Sequence, residues 1–293
     1  MARHSRNNRS AQGTESPVAG IYEGSSGPIE LEPDPYLDDG WVIKVNGVPS
    51  SHVVIGAPRE LVFEYMQWIA VAVESHLPEA GLDPATLRLT HLGGGACSLA
   101  RYFADVYPTS RNTVVELDRA LADLVRSSFD LPRSPRVKIR VDDAWDVAES
   151  FVPDSRDVII RDVFAGDVTP YDLTTVDFFT HCRRGLAPGG LYVANCGDHA
   201  DLRGAKAELA GMAEVWEHVA VIADPPMLKG RRYGNIVLLA SDTELLADAT
   251  PAMSTAMSTA MRRLLGGAVP AQYKDETWTR RFFSGAAPRQ EQT

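Results

Sequence analysis

The chain of 293 residues carries 29 Lys+Arg against 39 Asp+Glu, a net charge of −10. That balance argues against a general nucleic-acid or anionic-membrane binder, because phosphate-backbone affinity needs a basic surface. With 44% hydrophobic and 23% charged residues the composition is that of a globular protein with a core, long enough for about two domains or one large domain with an appendage.

Residues 1–27 are rich in Ser, Asn, Gly and Arg and short of large apolar groups, so a flexible arm is expected there. Residues 28–57 form a small β region: WVIKVNGVPSSHVVI reads as two strands around Asn46-Gly47, a dipeptide suited to a tight hairpin. Alone this region is too short to hold a core, and its exposed edges and apolar groups predict a homodimer through the hairpin. Pro58 is expected to open a helix, since PRELVFEYMQWIAVAVESHL repeats apolar residues at three- and four-residue steps.

From there to residue 241 the pattern alternates. Strands are expected at 87–92, 112–117, 136–141, 156–163, 190–196, 219–223 and 234–240, and helices near 98–107, 119–128, 143–150, 172–186 and 200–213. Such alternation implies an α/β fold with a mostly parallel sheet covered on both faces. The short link PPMLKGRR between the last two strands suits an antiparallel pair. Seven strands with the last one reversed describe the class I methyltransferase-like Rossmann fold. In residues 242–293, a C-terminal extension, AMSTAMSTAM has helical Met spacing and the final RQEQT is expected to be loose.

In open α/β sheets ligands sit beyond the carboxyl ends of the strands. The first strand runs into Gly93, Gly94 and Gly95, then Ala96-Cys97-Ser98, a loop whose backbone can approach a ligand closely at a helix N-terminus. About twenty residues on, the second strand ends at Glu116, placed to accept from both hydroxyls of a ribose. That pair suits NAD as well as a sulfonium nucleoside, but Ser98 stands at the third glycine position of the dinucleotide motif. The third strand ends in Asp142-Asp143-Ala144, where a carboxylate can accept from an adenine amine or simply cap the next helix. The fourth ends at Asp162, which can draw a proton from an amine nucleophile or merely line the pocket.

The succession of hairpin, helix, HLGGGACS, VELD, DDA, IIRDVF and LAPGGLYVANC, from about Trp41 to Ala240, resembles the spermidine synthases, the polyamine aminopropyltransferases. It also resembles the spermidine-synthase-like bacterial branch, in which D-V-F or D-A-F, here Asp162-Val163-Phe164, followed by L-T-T and F-F takes the place of D-S-S-D-P. The resemblance implies that Gly93–Gly95 form the nucleoside loop, Glu116 the ribose ligand, Asp143 with Ala144 the adenine contact and Asp162 the base. It implies S-adenosylmethionine or its decarboxylated form as co-substrate, and a small-molecule amine acceptor such as putrescine. Departures fall on the acceptor side. Ala96 replaces the Asp that holds the aminopropyl ammonium, and Pro49 replaces a Gln after the hairpin. Phe63 takes the place of an acceptor-binding Tyr, with Tyr65 two places away, and Pro225–Leu228 replace P-T-Y-P. The second acid of D-S-S-D-P has no counterpart unless Asp167 supplies it. Because of Ala96 and the missing tyrosines, methyl transfer and a catalytically silent nucleoside-binding homologue stand as alternatives.

The rest of the sequence bounds this reading. Cys97, Cys182 and Cys196 form no CxxC pair, and the seven histidines show no metal spacing, so no disulfide scaffold and no metal are expected. Apolar runs stop short of the roughly 20 residues needed to cross a bilayer, and the N-terminal residues lack an apolar signal core. A cytoplasmic protein without nucleic-acid or membrane partners is expected.

Overall fold

The computed structural model describes residues 17–166, 168–246 and 251–291. Four antiparallel strands come first, adjacent in chain order: β1 (Gly20–Gly24), β2 (Gly27–Pro33), β3 (Gly40–Val45) and β4 (Val48–Val54). Asn46 and Gly47 turn β3 into β4 with φ of 53° and 75°, the positive pair that a type I′ hairpin requires. Of the expected arm, residues 1–16 lie outside the described residues. Its last stretch is ordered, because β1 pairs along β2 from Gly20–Leu31 to Gly24–Gly27.

Ile29, Leu31, Ile43 and Val53 fall on one face by strand alternation and close over Ala100, Leu121 and Val125. The inner face of the hairpin is therefore covered within the chain, while Val48 and Ile55 remain exposed. Among the described residues β1 is an edge strand, with Ile21 76% exposed.

Helix α1 (Glu64–Glu79) starts later than Pro58. The Leu61 carbonyl is taken by the Gln67 side chain at 2.6 Å rather than by a helical N–H, so the preceding stretch stays irregular. The alternation follows as read: β5 (Arg88–Leu92), α2 (Ser98–Val106), β6 (Arg111–Glu116), α3 (Arg119–Ser128), β7 (Val137–Val141), α4 (Ala144–Glu149) and β8 (Arg156–Arg161). A 3-10 turn (Tyr171–Thr174) leads to α5 (Val176–Gly185), β9 (Leu186–Asp198), α6 (Arg203–Val215), β10 (His218–Ala223), α7 (Pro225–Leu228) and β11 (Gly234–Ser241). The extension adds α8 (Pro251–Gly266), β12 (Gln272–Lys274) and α9 (Glu276–Phe282).

The sheet order is β12-β10-β11-β9-β8-β5-β6-β7. Strands β5 to β9 pair in parallel, and β11 enters antiparallel between β9 and β10, which is the reversed last strand of the methyltransferase-like fold. The sheet has eight strands rather than seven, because three residues of β12 pair with β10, too few to leave a periodic trace in sequence. One face packs on α1, α2 and α8, the other on α4, α5 and α6. The final residues are not all loose: the Arg289 carbonyl accepts the Val176 N–H at 3.0 Å. No helix among the described residues is long and apolar enough to cross a membrane.

Candidate active site

Neighbouring strands β8, β5, β6 and β7 end at one rim, bringing Asp162, Gly93–Gly95, Glu116 and Asp142–Asp143 side by side. Strand spacing of about 4.8 Å spreads these groups over roughly 14 Å.

The loop after β5 needs its glycines for close approach. Gly93 has φ of 92°, and a Cβ there would lie 2.1 Å from the Asp162 carbonyl oxygen. A Cβ on Gly94 would meet Glu116 Oε2 at 3.0 Å. The Glu116 carboxylate closes on this loop. Its Oε2 accepts the N–H groups of Gly94 at 3.0 Å and Gly95 at 3.1 Å, and Oε1 accepts that of Asp118 at 2.9 Å. Burial pushes the Glu116 carboxyl above its usual range, and those three donors pull against it. Strand β4 covers the loop from outside. Ser51 Oγ accepts the N–H of fully buried Ala96 at 2.9 Å, and Ser98 Oγ donates to the His52 carbonyl at 2.8 Å.

At the end of β7, Asp142 Oδ2 takes Arg140 at 2.6 Å, and that guanidinium holds its carboxyl below the usual range. Asp143 caps α4, accepting the Trp145 N–H at 2.7 Å, and Ala144 is the buried first residue of that helix. The capping role expected of Asp143 is thus present, at the carboxyl end of β7.

Asp162 is held on both oxygens. Tyr65 Oη donates to Oδ2 at 3.0 Å and Asn195 Nδ2 donates to Oδ1 at 2.9 Å. Burial pushes the Asp162 carboxyl upward, while these two donors and the Arg161 charge act in the opposite direction. The α1 residue that reaches Asp162 is therefore Tyr65, not Phe63. Phe63 precedes the first helical residue and stacks on the Tyr65 ring at 6.1 Å. Motif alignment missed this because the helix starts at Glu64, whereas helical spacing from buried Trp68, Ile69 and Ala72 back to Tyr65 carried the signal. Asn195 was also missed, although an amide amid the apolar run LYVANC is an anomaly visible in sequence. Its buried Oδ1 has no hydrogen-bond partner among the described residues. Asp167 lies outside the described residues.

Behind the loop is a hollow of about 20 Å³ lined in part by Met66, His91, Cys97 and Asp162. That is room for one water, and Gly93–Gly95 beside it are partly exposed. His91 pairs with Asn112 Oδ1 at 3.1 Å, and burial pushes its ring down to about 4. The Cys97 thiol is pushed up to about 12, chiefly by burial. Both are neutral packing groups. Among the described residues, no group of three His, Cys, Asp or Glu is arranged to hold a metal ion.

No protein-family model matches the chain. Over 113 residues, 39% of its length, it is 34% identical to a probable polyamine aminopropyl transferase of Bifidobacterium longum, of which the match spans 25%. Against the polyamine aminopropyltransferase of Neisseria meningitidis it is 30% identical over half of its own length and 53% of the relative's. The matched stretches thus span a quarter to about half of these relatives. Among solved structures, a probable spermidine synthase from Corynebacterium glutamicum is 66% identical, with a TM-score of 0.90, and the match covers 95% of this chain and 98% of that one. With that identity sustained over nearly both full lengths, the chain belongs to the spermidine synthase family.

Proposed function

We propose that the chain transfers the aminopropyl group of decarboxylated S-adenosylmethionine to a small amine acceptor, a polyamine such as putrescine. The observation that carries this reading is the Tyr65–Asp162–Asn195 cluster beside the glycine loop, a base held in place where an amine would attack. Gly93, Gly94 and Gly95 carry the nucleoside on their exposed side. Glu116 exchanges its bonds to the loop N–H groups for the two ribose hydroxyls, and Asp142, Asp143 and Ala144 border the adenine. The amine nitrogen attacks the carbon next to the sulfonium, and the C–S bond breaks with its electron pair passing to sulfur. The product is a neutral thioether nucleoside, and the ammonium proton passes to Asp162. Orienting the two reactants is the protein's main contribution, since the sulfonium is already activated. Asn195 Oδ1 is a second acceptor for the amine. Phe63 borders the acceptor side in this reading, through the ring of Tyr65. A two-fold dimer would use the hairpin at 41–55, where Val48 and Ile55 are exposed.

Methyl transfer is the second reading. Ala96 motivates it, because an acid at that position would repel the carboxylate of ordinary S-adenosylmethionine. Mass spectrometry of the purified chain with each nucleoside and putrescine decides between the readings. Aminopropylated amine from the decarboxylated nucleoside is expected, with a fall of about 10²–10⁴-fold in Asp162→Asn. Methylated amine, or an undiminished Asp162→Asn, would refute the assignment.

A further inference from the structure

Asp162 has an unusual neighbour. Arg161 is fully buried at the end of β8 and donates through Nη2 to Glu208 Oε2 at 2.5 Å, and Glu208 on α6 is itself buried. Strand alternation turns Arg161 to the face opposite Asp162, so the pair fixes the strand end from behind.

The chain leaving Asp162 regains regular structure at residues 171–176, which are knotted tightly. Thr174 Oγ1 donates to the Tyr171 carbonyl at 2.6 Å. Thr175 Oγ1 donates to the Asp172 carbonyl at 3.0 Å and caps α5 through the Phe178 N–H at 3.3 Å. A distant segment holds this knot. Arg289 Nη1 donates to Thr174 Oγ1 at 2.8 Å, and its guanidinium lies 5.5 Å from the centre of the Tyr171 ring. Its carbonyl accepts the Val176 N–H at 3.0 Å, and Tyr171 Oη donates to the Gln290 carbonyl at 3.1 Å. The Arg289 charge also bears on Glu208. Both ends of the chain that passes Asp162 are therefore anchored, one through Arg161–Glu208 and the other through Arg289.

We propose that Arg289 is a positioning residue for the amine acceptor: by clamping residues 171–176 it fixes the path of the chain beyond Asp162 without touching either substrate. This rests on the reading of Asp162 as the base. The residue type matters, since a planar guanidinium can stack on Tyr171 and bond to Thr174 at once, whereas an ammonium is a point charge.

The test compares Arg289→Ala, Arg289→Lys and Tyr171→Phe with the unaltered chain, using decarboxylated S-adenosylmethionine and putrescine. Arg289→Ala should raise the KM for putrescine roughly tenfold or more, with kcat less affected and nucleoside affinity by calorimetry unchanged. Hydrogen exchange at residues 171–176 should quicken about tenfold or more while the central strands keep their protection. Arg289→Lys should recover part of both effects, and Tyr171→Phe should show a weaker form of each. Unchanged exchange at 171–176, or equal losses of nucleoside and amine affinity, would overturn the proposal. Absence of turnover by the unaltered chain would instead overturn the proposed function and the acceptor role with it, while exchange alone still decides whether Arg289 holds the clamp.

Discussion

The Asp162 carboxylate must be ionised to accept a proton, and burial opposes that charge. Burial raises its pKa, and the donors Asn195 and Tyr65 lower it again. Activity limited by this group rises with pH through the raised value. Tyr65→Phe removes a donor that favours the charged form, so the acidic limb of the pH–rate profile should move to higher pH. A profile that stays in place, or moves to lower pH, would separate Tyr65 from the titration of Asp162. Phe63 should leave that limb unchanged on substitution by Leu, since its ring meets Tyr65 and not the carboxylate.

At the scale of elements, the small N-terminal sheet does more than decorate the larger sheet. Strand β4 lies on the glycine loop so closely that a Cβ on Gly95 would come within 2.3 Å of Ser51 Oγ. The loop's shape therefore depends on an element distant in sequence. Ser51→Ala leaves the buried Ala96 N–H without its acceptor and should cost about 1–3 kcal/mol of stability by chemical denaturation. Nucleoside affinity should fall with it. A loss of stability without a loss of affinity would show that the loop keeps its shape unaided. The element boundaries themselves were largely legible. The helices at 98–106 and 119–128 and the strand at 88–92 fall where periodicity puts them, because each buries one stripe or face. The helix after Pro58 was placed too early because its apolar rhythm begins before its hydrogen bonds do.

Across the whole molecule, the Arg161–Glu208 pair links β8 to α6 beneath the rim. Breaking one partner of a buried ion pair strands the other, so Glu208→Gln should cost about 3–5 kcal/mol. Replacing both by apolar residues of similar size should restore most of that loss. If Glu208→Gln costs under about 1 kcal/mol, the buried pair is not what fastens the sheet to α6.

The sequence by itself determined the alternating α/β order, the reversed last strand and the line of loop, Glu116, Asp142–Asp143 and Asp162 along one rim. Those features are local: periodicity marks each element, and parallel pairing places the carboxyl ends of successive strands at the same edge. Only the tertiary structure decided which groups meet across that rim. Tyr65, Asn195 and Asp162 are separated by 97 and 33 residues along the chain, and Arg289 reaches Thr174 across 115. Contacts of that span depend on how helices and strands pack on one another: periodicity marks the buried face of an element, as at Tyr65, but not the partner that face meets.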